Sequence, residues 1–200
     1  MTYLALGDSI SIDDYTGVAG GGAASQFSVQ VGATVFENRT RDGCTTEGVL
    51  QILQDSYPRP DVVTLTVCGN DLLVAVTALG AEGRWRHAVA PILERYDRIL
   101  DHLGALACPV IVNTVYDPTD GVDERATQFG LPGSIRDPFD IVNEHIRSSS
   151  GQRLAVCDLE RLFQGHGYWS EEPWIVGYIE PNYTGASQIV NDWMRLYRGM

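Results

Sequence analysis

A serine directly follows the first apolar segment of the chain. Residues Tyr3 to Leu6 are apolar and lead into Gly7-Asp8-Ser9. A serine on the turn at the end of a strand can present its Oγ to a substrate carbonyl, as nucleophilic catalysis requires. Taken alone, such a serine is equally typical of a turn or a helix cap.

Candidate hydrogen-bond donors follow the next two apolar segments. Gly43 lies in a polar turn, and Asn70 lies in Gly69-Asn70-Asp71. An acyl-transfer transition state needs donors aimed at the developing oxyanion. The backbone N–H of Ser9, the N–H of Gly43 and the side-chain amide of Asn70 could supply three such donors. Each signal is weak alone, but their joint placement after successive strands predicts an acyl-transfer site.

These segments resemble the sequence blocks of the SGNH (GDSL) hydrolases. Gly7-Asp8-Ser9-Ile10 is similar to the first block, Asn38–Thr46 to the second, and Gly69-Asn70-Asp71 to the third. The resemblance covers nearly the whole chain and implies esterase, lipase, deacetylase or acyltransferase chemistry without a cofactor. It also implies a three-layer α/β/α fold, with Ser9 as nucleophile and an oxyanion hole formed by Ser9, Gly43 and Asn70.

The fourth block departs from the family pattern. The family has Asp-x-x-His-Pro-Asn, followed shortly by Gly, before the last helix. This chain has Gly177-Tyr178-Ile179-Glu180-Pro181-Asn182, followed by Gly185. In this register Glu180 takes the position of the general-base histidine, and Gly177 that of its orienting aspartate. The chain resembles a subgroup of the family with Ile-Glu-Pro at this point.

Two mechanisms can replace the missing histidine. In the first, which we favour slightly from sequence, His166 is the base and Glu180 orients it, because imidazole works near neutral pH without a large pKa shift. His166 lies in a glycine-rich loop fourteen residues before Glu180. In the second, Glu180 is itself the base, with its pKa raised by burial among neutral neighbours. An exposed loop position is the plain alternative for His166.

Other polar residues near these blocks are candidates for substrate contact. The candidates are Asp14, Tyr15, Arg39 and Arg41. For Asp14 and Tyr15, a solvated loop is at least as good an explanation. The cysteines and histidines show no zinc-ligand spacing, and no Gly-Lys-Ser/Thr element follows the glycine run 20–22, so we predict neither a metal nor a phosphate-binding loop.

Alternating strand and helix signals place these residues on one sheet. The apolar, β-rich runs are Tyr3–Leu6, Thr34–Phe36, Val62–Val67, Val110–Val115 and Leu154–Cys157. The helical segments are Ala23–Gly32, Thr45–Gln54, Ala88–Leu106, Pro138–Ile146 and Thr184–Leu196, the last with Thr184 as its N-cap. This alternation predicts a five-stranded parallel, flavodoxin-like sheet with its site at the carboxyl ends of the strands. The loop at 117–137 interrupts the rhythm and is predicted to form a lid or rim.

Length and charge narrow the function further. Two hundred residues with 44% hydrophobic content and a formal charge of −12 favour one domain, 1–200, without a nucleic-acid or membrane partner. With no signal peptide evident, we expect a cytoplasmic location; the oligomeric state is not indicated. The leading function is a serine-dependent acyl hydrolase or acyltransferase acting on an ester, thioester or activated amide of a small molecule. The alternative is a ligand-binding module that has lost its general base.

Overall fold

Five parallel strands form the centre of the computed structural model, which describes residues 1–79, 85–128, 130, 136–149 and 151–200. The strands are β1 (Thr2–Gly7), β2 (Val35–Thr40), β3 (Val62–Thr66), β4 (Val110–Asn113) and β5 (Leu154–Cys157). Their order is β2-β1-β3-β4-β5, which is the predicted flavodoxin-like order. A short antiparallel pair, β6 (Ile175–Val176) and β7 (Glu180–Pro181), lies outside this sheet.

Helices cover both faces of the sheet, which confirms the predicted three-layer α/β/α fold. They are α1 (Ala23–Gln30), α2 (Thr46–Ile52), α3 (Gly69–Leu79), α4 (Trp85–Ala105), α5 (Asp123–Gln128), α6 (Arg136–Ser148), α7 (Leu159–Phe163) and α8 (Tyr183–Gly199). Helices α1, α7 and α8 pack together, whereas α2, α3 and α6 pack around α4. In the described part of the chain, no helix combines the length and apolar character needed to cross a bilayer.

The strand β1 shows why both faces are covered. Leu4 and Leu6 point into the apolar cluster under α4, and Tyr3 and Ala5 point into the cluster under α8. All four side chains are fully buried. Side chains alternate along a strand, so a strand that is apolar at every position must be covered on both sides.

A buried polar contact fixes α8 against the sheet. The indole N–H of Trp193 donates to Asn113 Oδ1 at 2.8 Å, and Asn113 Nδ2 donates to the Leu65 carbonyl at 2.9 Å. Both side chains are buried, so these hydrogen bonds satisfy groups that water cannot reach. They hold the helix that begins three residues after Glu180.

Three features differ from the sequence expectation. The helix α3 has no counterpart among the helical segments predicted from the sequence. The N-cap of α8 is Asn182, not Thr184, because the Asn182 side chain accepts the Gly185 N–H at 3.0 Å. Within 117–137, the helix α5 forms, and residues 129 and 131–135 lie outside the described residues. The role of this segment as a lid stays a prediction.

Gly7 makes the sharp turn that ends β1. Its φ is +122°, and a Cβ built there would lie 1.8 Å from the Thr66 carbonyl oxygen. The same carbonyl accepts the Asp8 N–H at 2.9 Å, which ties the ends of β1 and β3 together. Only glycine permits both the backbone angle and this close approach.

We therefore expect Gly7→Ala to lower the free energy of unfolding by about 4 kcal/mol or more, since the clash involves backbone that cannot move aside. Gly17→Ala is the matched control, because Gly17 also has a positive φ (+70°) but its Cβ would meet nothing within 4 Å. That variant should lose only about 1–2 kcal/mol. Urea unfolding measures both; equal losses would contradict this account of the turn.

Candidate active site

The turn after β1 places Ser9 at the carboxyl edge of the sheet. Ser9 begins a 3-10 helix, Ser9–Ser11, and the Asp8 side chain caps this helix by accepting the Ile10 N–H at 3.2 Å. Ser9 is only 6% exposed. At this edge β1 and β3 are neighbours, and the chain segments that follow the two strands leave in opposite directions. Ligands usually bind at such a point in sheets of this topology.

Glu180 lies against Ser9. The Ser9 Oγ donates to Glu180 Oε1 at 3.0 Å, in a contact between residues 171 positions apart. Glu180 is 6% exposed, and its Oε2 has no hydrogen-bond partner among the described residues. The carboxylate is therefore held by a single side-chain contact, and one of its oxygens is left unsatisfied in the protein interior.

The backbone around Glu180 is held from two sides. The Tyr116 hydroxyl donates to the Ile179 carbonyl, and its ring stacks on Phe163 with centroids 4.3 Å apart. On the other side, Asn182 Nδ2 donates to the Pro173 carbonyl at 2.7 Å. Tyr116 was not identified from sequence, because nothing in its local pattern marks it. These contacts fix the direction from which the carboxylate reaches Ser9.

Burial shifts the acid–base properties of both nearby carboxyls. Loss of solvation raises the pKa of Glu180, although the hydrogen bond from Ser9 opposes the shift. Burial also raises the pKa of Asp8 to about 7, and the nearby negative charge of Glu180 adds to this shift. A carboxylate with a raised pKa is a stronger base than an ordinary one.

His166 lies in a different environment. Its ring stacks on Trp174 with centroids 3.7 Å apart, and its Nδ1 donates to the Glu172 carbonyl at 3.1 Å. The ring lines an open cleft with Arg125, Trp169 and others, apart from the residues around Ser9. The expected contacts from Ser9 through His166 to Glu180 are not formed among the described residues. The Ser9 hydroxyl therefore contacts Glu180 and not His166, which is the arrangement that the second mechanism needs and the first does not have.

Asn70 lies in the first turn of α3, beside the serine. Cys68, two residues before Asn70, is buried and has a φ of +85°. For a residue other than glycine this backbone conformation is strained, and such conformations are often found at functional sites. The Asn70 amide donates one N–H to the Cys44 carbonyl at 3.1 Å. Because an amide carries two N–H groups, the other remains for a ligand. Gly43 lies in the exposed turn before Cys44 and has a φ of +69°, and a Cβ built there would meet nothing within 4 Å.

An apolar cavity opens beside Ser9. Ser9, Asn70 and Glu180 contribute part of its wall. Most of the remaining wall is apolar and comes from Ile10, Leu72, Leu73, Val115, Tyr116, Pro118, Ala126, Phe139 and Ile179. Arg136 and Asp117, which form an ion pair at 3.5 Å, also line the cavity and belong to the segment 117–137 that builds part of its wall. The cavity fits an uncharged apolar group next to the serine.

The four predicted substrate-contact residues lie elsewhere. None of them lines this cavity within the described part of the chain. Arg39 pairs with Glu37 at 3.2 Å along β2, and Asp14 and Arg41 are exposed. Their contact with substrate stays a prediction.

Tyr15 forms a pair with Asp42 near the site. Its hydroxyl donates to Asp42 Oδ2 at 2.9 Å, which raises the pKa of Tyr15 to about 12. The negative charge of Glu180 adds a smaller contribution to this shift. Across the described residues, no group of three or more His, Cys, Asp or Glu side chains has the arrangement of a metal site.

Comparisons with known proteins show which family and which fold the chain resembles. A family model described as "GDSL-like Lipase/Acylhydrolase family" matches residues 5–187. A search of curated proteins gave no match. Solved structures with the same fold include phospholipase A1 from Streptomyces albidoflavus NA297, which is 21% identical over 96% of this chain and 98% of that chain, with a TM-score of 0.70.

Two further solved structures share the fold over nearly the whole length of both chains. The acetyl xylan esterase AlAXEase is 16% identical over 98% of this chain and 99% of that chain, with a TM-score of 0.71. TesA is 16% identical over 100% of both chains, with a TM-score of 0.68. At these identities the likeness concerns the fold.

The buried carboxylate predicts a pH-dependent effect on stability. The folded-state pKa of Glu180 is raised, so its ionisation destabilises the fold, and stability is lost as pH rises through that pKa. A difference of one between the folded and unfolded pKa values corresponds to about 1.4 kcal/mol. Glu180→Gln should therefore be more stable than the wild type at pH ~8, and the difference should shrink as pH falls toward ~4, near the ordinary glutamate pKa.

Unfolding free energies at several pH values measure this difference. Glu94→Gln, on an exposed position of α4, is the matched control for removing one negative charge. A wild type more stable than Glu180→Gln at pH ~8 would contradict the assignment of Glu180 as a poorly solvated carboxylate.

Proposed function

We propose that this chain, which belongs to the GDSL-like lipase/acylhydrolase family, is a serine-dependent acyl hydrolase or acyltransferase with Ser9 as nucleophile and Glu180 as general base. The observation that carries the proposal is the 3.0 Å hydrogen bond from Ser9 Oγ to Glu180 Oε1. A nucleophile needs a base within hydrogen-bond reach, and geometry takes precedence over residue type in that assignment.

The proposed reaction begins with proton transfer from Ser9 Oγ to Glu180 Oε1. As the proton leaves, Oγ forms a bond to the substrate carbonyl carbon, and the carbonyl electron pair moves to its oxygen. The Ser9 N–H, the free N–H of Asn70 and the Gly43 N–H stabilise this oxyanion. The oxyanion then collapses, the bond to the leaving group breaks, and the Glu180 carboxyl returns its proton to the departing oxygen.

The second half of the cycle releases the acyl group. A water molecule, or an alcohol that serves as acyl acceptor, gives its proton to Glu180 and attacks the acyl-enzyme carbonyl. A second tetrahedral intermediate forms and breaks the bond to Ser9, whose Oγ regains a proton from Glu180. The same carboxyl thus acts as base and then as acid in each half, as the histidine of a serine triad does.

The burial of Glu180 supports its role as base. An ordinary glutamate has a pKa of about 4.3 and is a weak base toward a hydroxyl group. The raised pKa of Glu180 brings the carboxylate closer to the range in which general bases work. Its second oxygen, which has no partner among the described residues, leaves its charge poorly stabilised and available to accept a proton.

The cavity indicates the substrate class. Its apolar wall beside Ser9 favours an ester whose acyl group is apolar and uncharged. The formal charge of −12 disfavours anionic substrates. The names of the similar structures, a phospholipase A1 and an acetyl xylan esterase, both describe enzymes that act on esters.

A pH–rate comparison on one neutral activated ester tests the proposal. Glu180→Gln should lower kcat/KM on the order of 10²–10⁴-fold, whereas His166→Ala should stay within about twofold of the wild type. Wild-type kcat/KM should rise with pH through the raised pKa of Glu180, and this acidic limb should vanish in Glu180→Gln. If Glu180→Gln kept the wild-type kcat/KM and His166→Ala lost most of it, His166 and not Glu180 would be the base.

Covalent labelling separates catalysis from simple ligand binding. A fluorophosphonate probe should add one phosphonyl group to the wild type, measured by intact mass, and none to Ser9→Ala. A wild type that binds esters without hydrolysing them or taking up the probe would support the binding-module alternative.

A further inference from the structure

A buried hydrogen-bond network lies behind Asn70 and joins three helices. Thr46 is the first residue of α2, Asp71 is in the first turn of α3, and Arg95 is in α4. Asp71 Oδ2 accepts the Thr46 N–H at 2.8 Å, and Asp71 Oδ1 accepts the Thr46 hydroxyl at 2.6 Å. Arg95 completes the network, with Nε 2.7 Å from Thr46 Oγ1 and Nη2 3.3 Å from Asp71 Oδ1.

The directions of these hydrogen bonds are fixed by chemistry. Arginine has only donors and an ionised carboxylate has only acceptors, so the Thr46 hydroxyl must accept from Arg95 and donate to Asp71. Thr46 is fully buried and the Asp71 side chain is 3% exposed. A buried carboxylate with this set of donors holds one arrangement, because any other arrangement leaves its charge unpaired.

The network connects the two loops that carry the proposed oxyanion donors. Asp71 follows Asn70 directly in α3. Thr46 follows the turn that contains Gly43 and Cys44, and the Cys44 carbonyl accepts the Asn70 amide at 3.1 Å. The loop after β2 and the loop after β3 are therefore tied together beside the serine, although they are distant in sequence.

We propose that Thr46, Asp71 and Arg95 form a positioning unit that sets the distance between the Gly43 N–H and the Asn70 amide in the oxyanion hole. This inference rests on the proposed function. Oxyanion donors act only within a narrow range of distances from the developing charge, and a displacement of about 1 Å can lower a rate on the order of 10²-fold. None of the three side chains lines the cavity, so each acts through the donors that it holds.

The test compares variants of the network by steady-state kinetics on a neutral activated ester. Thr46→Val keeps the side-chain shape but removes the hydroxyl, and Thr46→Ser keeps the hydroxyl. Thr46→Val and Arg95→Met should lower kcat by about 10- to 100-fold with KM within about twofold, as for a loss felt in the transition state. Thr46→Ser should stay within about threefold of the wild-type kcat.

The affinity for a trifluoromethyl ketone inhibitor is a readout that a loss of stability alone would not change. Its carbonyl carbon bonds to Ser9 Oγ, the Ser9 proton passes to Glu180, and the resulting oxyanion occupies the hole. Thr46→Val and Arg95→Met should weaken this inhibitor in proportion to their loss of kcat. Adding Thr46→Val to Asn70→Ala should cause little further loss, because the donor that it positions is already absent.

Arg147→Met is the matched control for removing a partly buried arginine. The Arg147 side chain is 22% exposed and bonds Asp158 and Glu160, compared with 26% exposure for Arg95. This variant should lower the melting temperature and leave kcat unchanged. If Arg95→Met does the same, or if neither network variant folds, the network serves stability alone and the positioning proposal is overturned.

The results that would contradict the proposed function differ from those that would contradict the positioning proposal. A wild type without ester hydrolysis or probe labelling would defeat the proposed function itself. An active wild type with Thr46→Val at the wild-type kcat, or with losses that simply multiply in the Asn70→Ala background, would defeat the positioning proposal alone.

Discussion

The contact between the Ser9 hydroxyl and the Glu180 carboxylate requires two distant parts of the chain to meet at one edge of the sheet. Ser9 arrives on the turn after β1, and Glu180 arrives on the strand that leads into the last helix, 171 residues later. Three features hold these two parts in place: the turn at Gly7, the capping of α8 by Asn182 and the burial of Trp193. The sheet order places the β1 and β3 ends side by side, which adds Asn70 to the same edge.

Burial of Glu180 opposes stability but favours catalysis. A carboxylate with one oxygen unpartnered among the described residues is held in the interior against a desolvation penalty. The penalty raises its pKa, and the raised pKa makes it a better acceptor for the Ser9 proton. Burial also raises the pKa of Asp8 to about 7, and the negative charge of Glu180 adds to that shift. Strain at Cys68 is a second sign that this edge favours function over stability.

Much of the fold could be predicted from the sequence because its strands and long helices have strong patterns. The apolar strands and the period of α4 lead directly to the parallel sheet. The helix α3 was not predicted, because Gly69 and Asn70 at its start are poor helix residues that usually mark turns. Asn182 was overlooked as a cap because Thr184 is also a good capping residue.

Residues of the candidate site could be predicted where the strand order, or the register of a sequence block as for Glu180, determines their position. Ser9 and Asn70 follow strand ends, and their positions depend on topology. The direction of His166 depends on its stacking against Trp174, eight residues away, and no local pattern encodes that contact. The Thr46–Asp71–Arg95 network likewise depends on three helices that meet only in the folded chain.

The claim that Glu180 is the base is tested most directly by measuring the ionisation of its carboxyl group. NMR titration of the glutamate δ-carboxyl carbons in isotope-labelled protein, with the Glu180 signal identified by its absence in Glu180→Gln, gives this pKa. The account predicts a pKa above the ordinary value of about 4.3 that coincides with the pKa governing kcat/KM. A Glu180 carboxyl that titrates at the ordinary value, or far from the kinetic pKa, would contradict it.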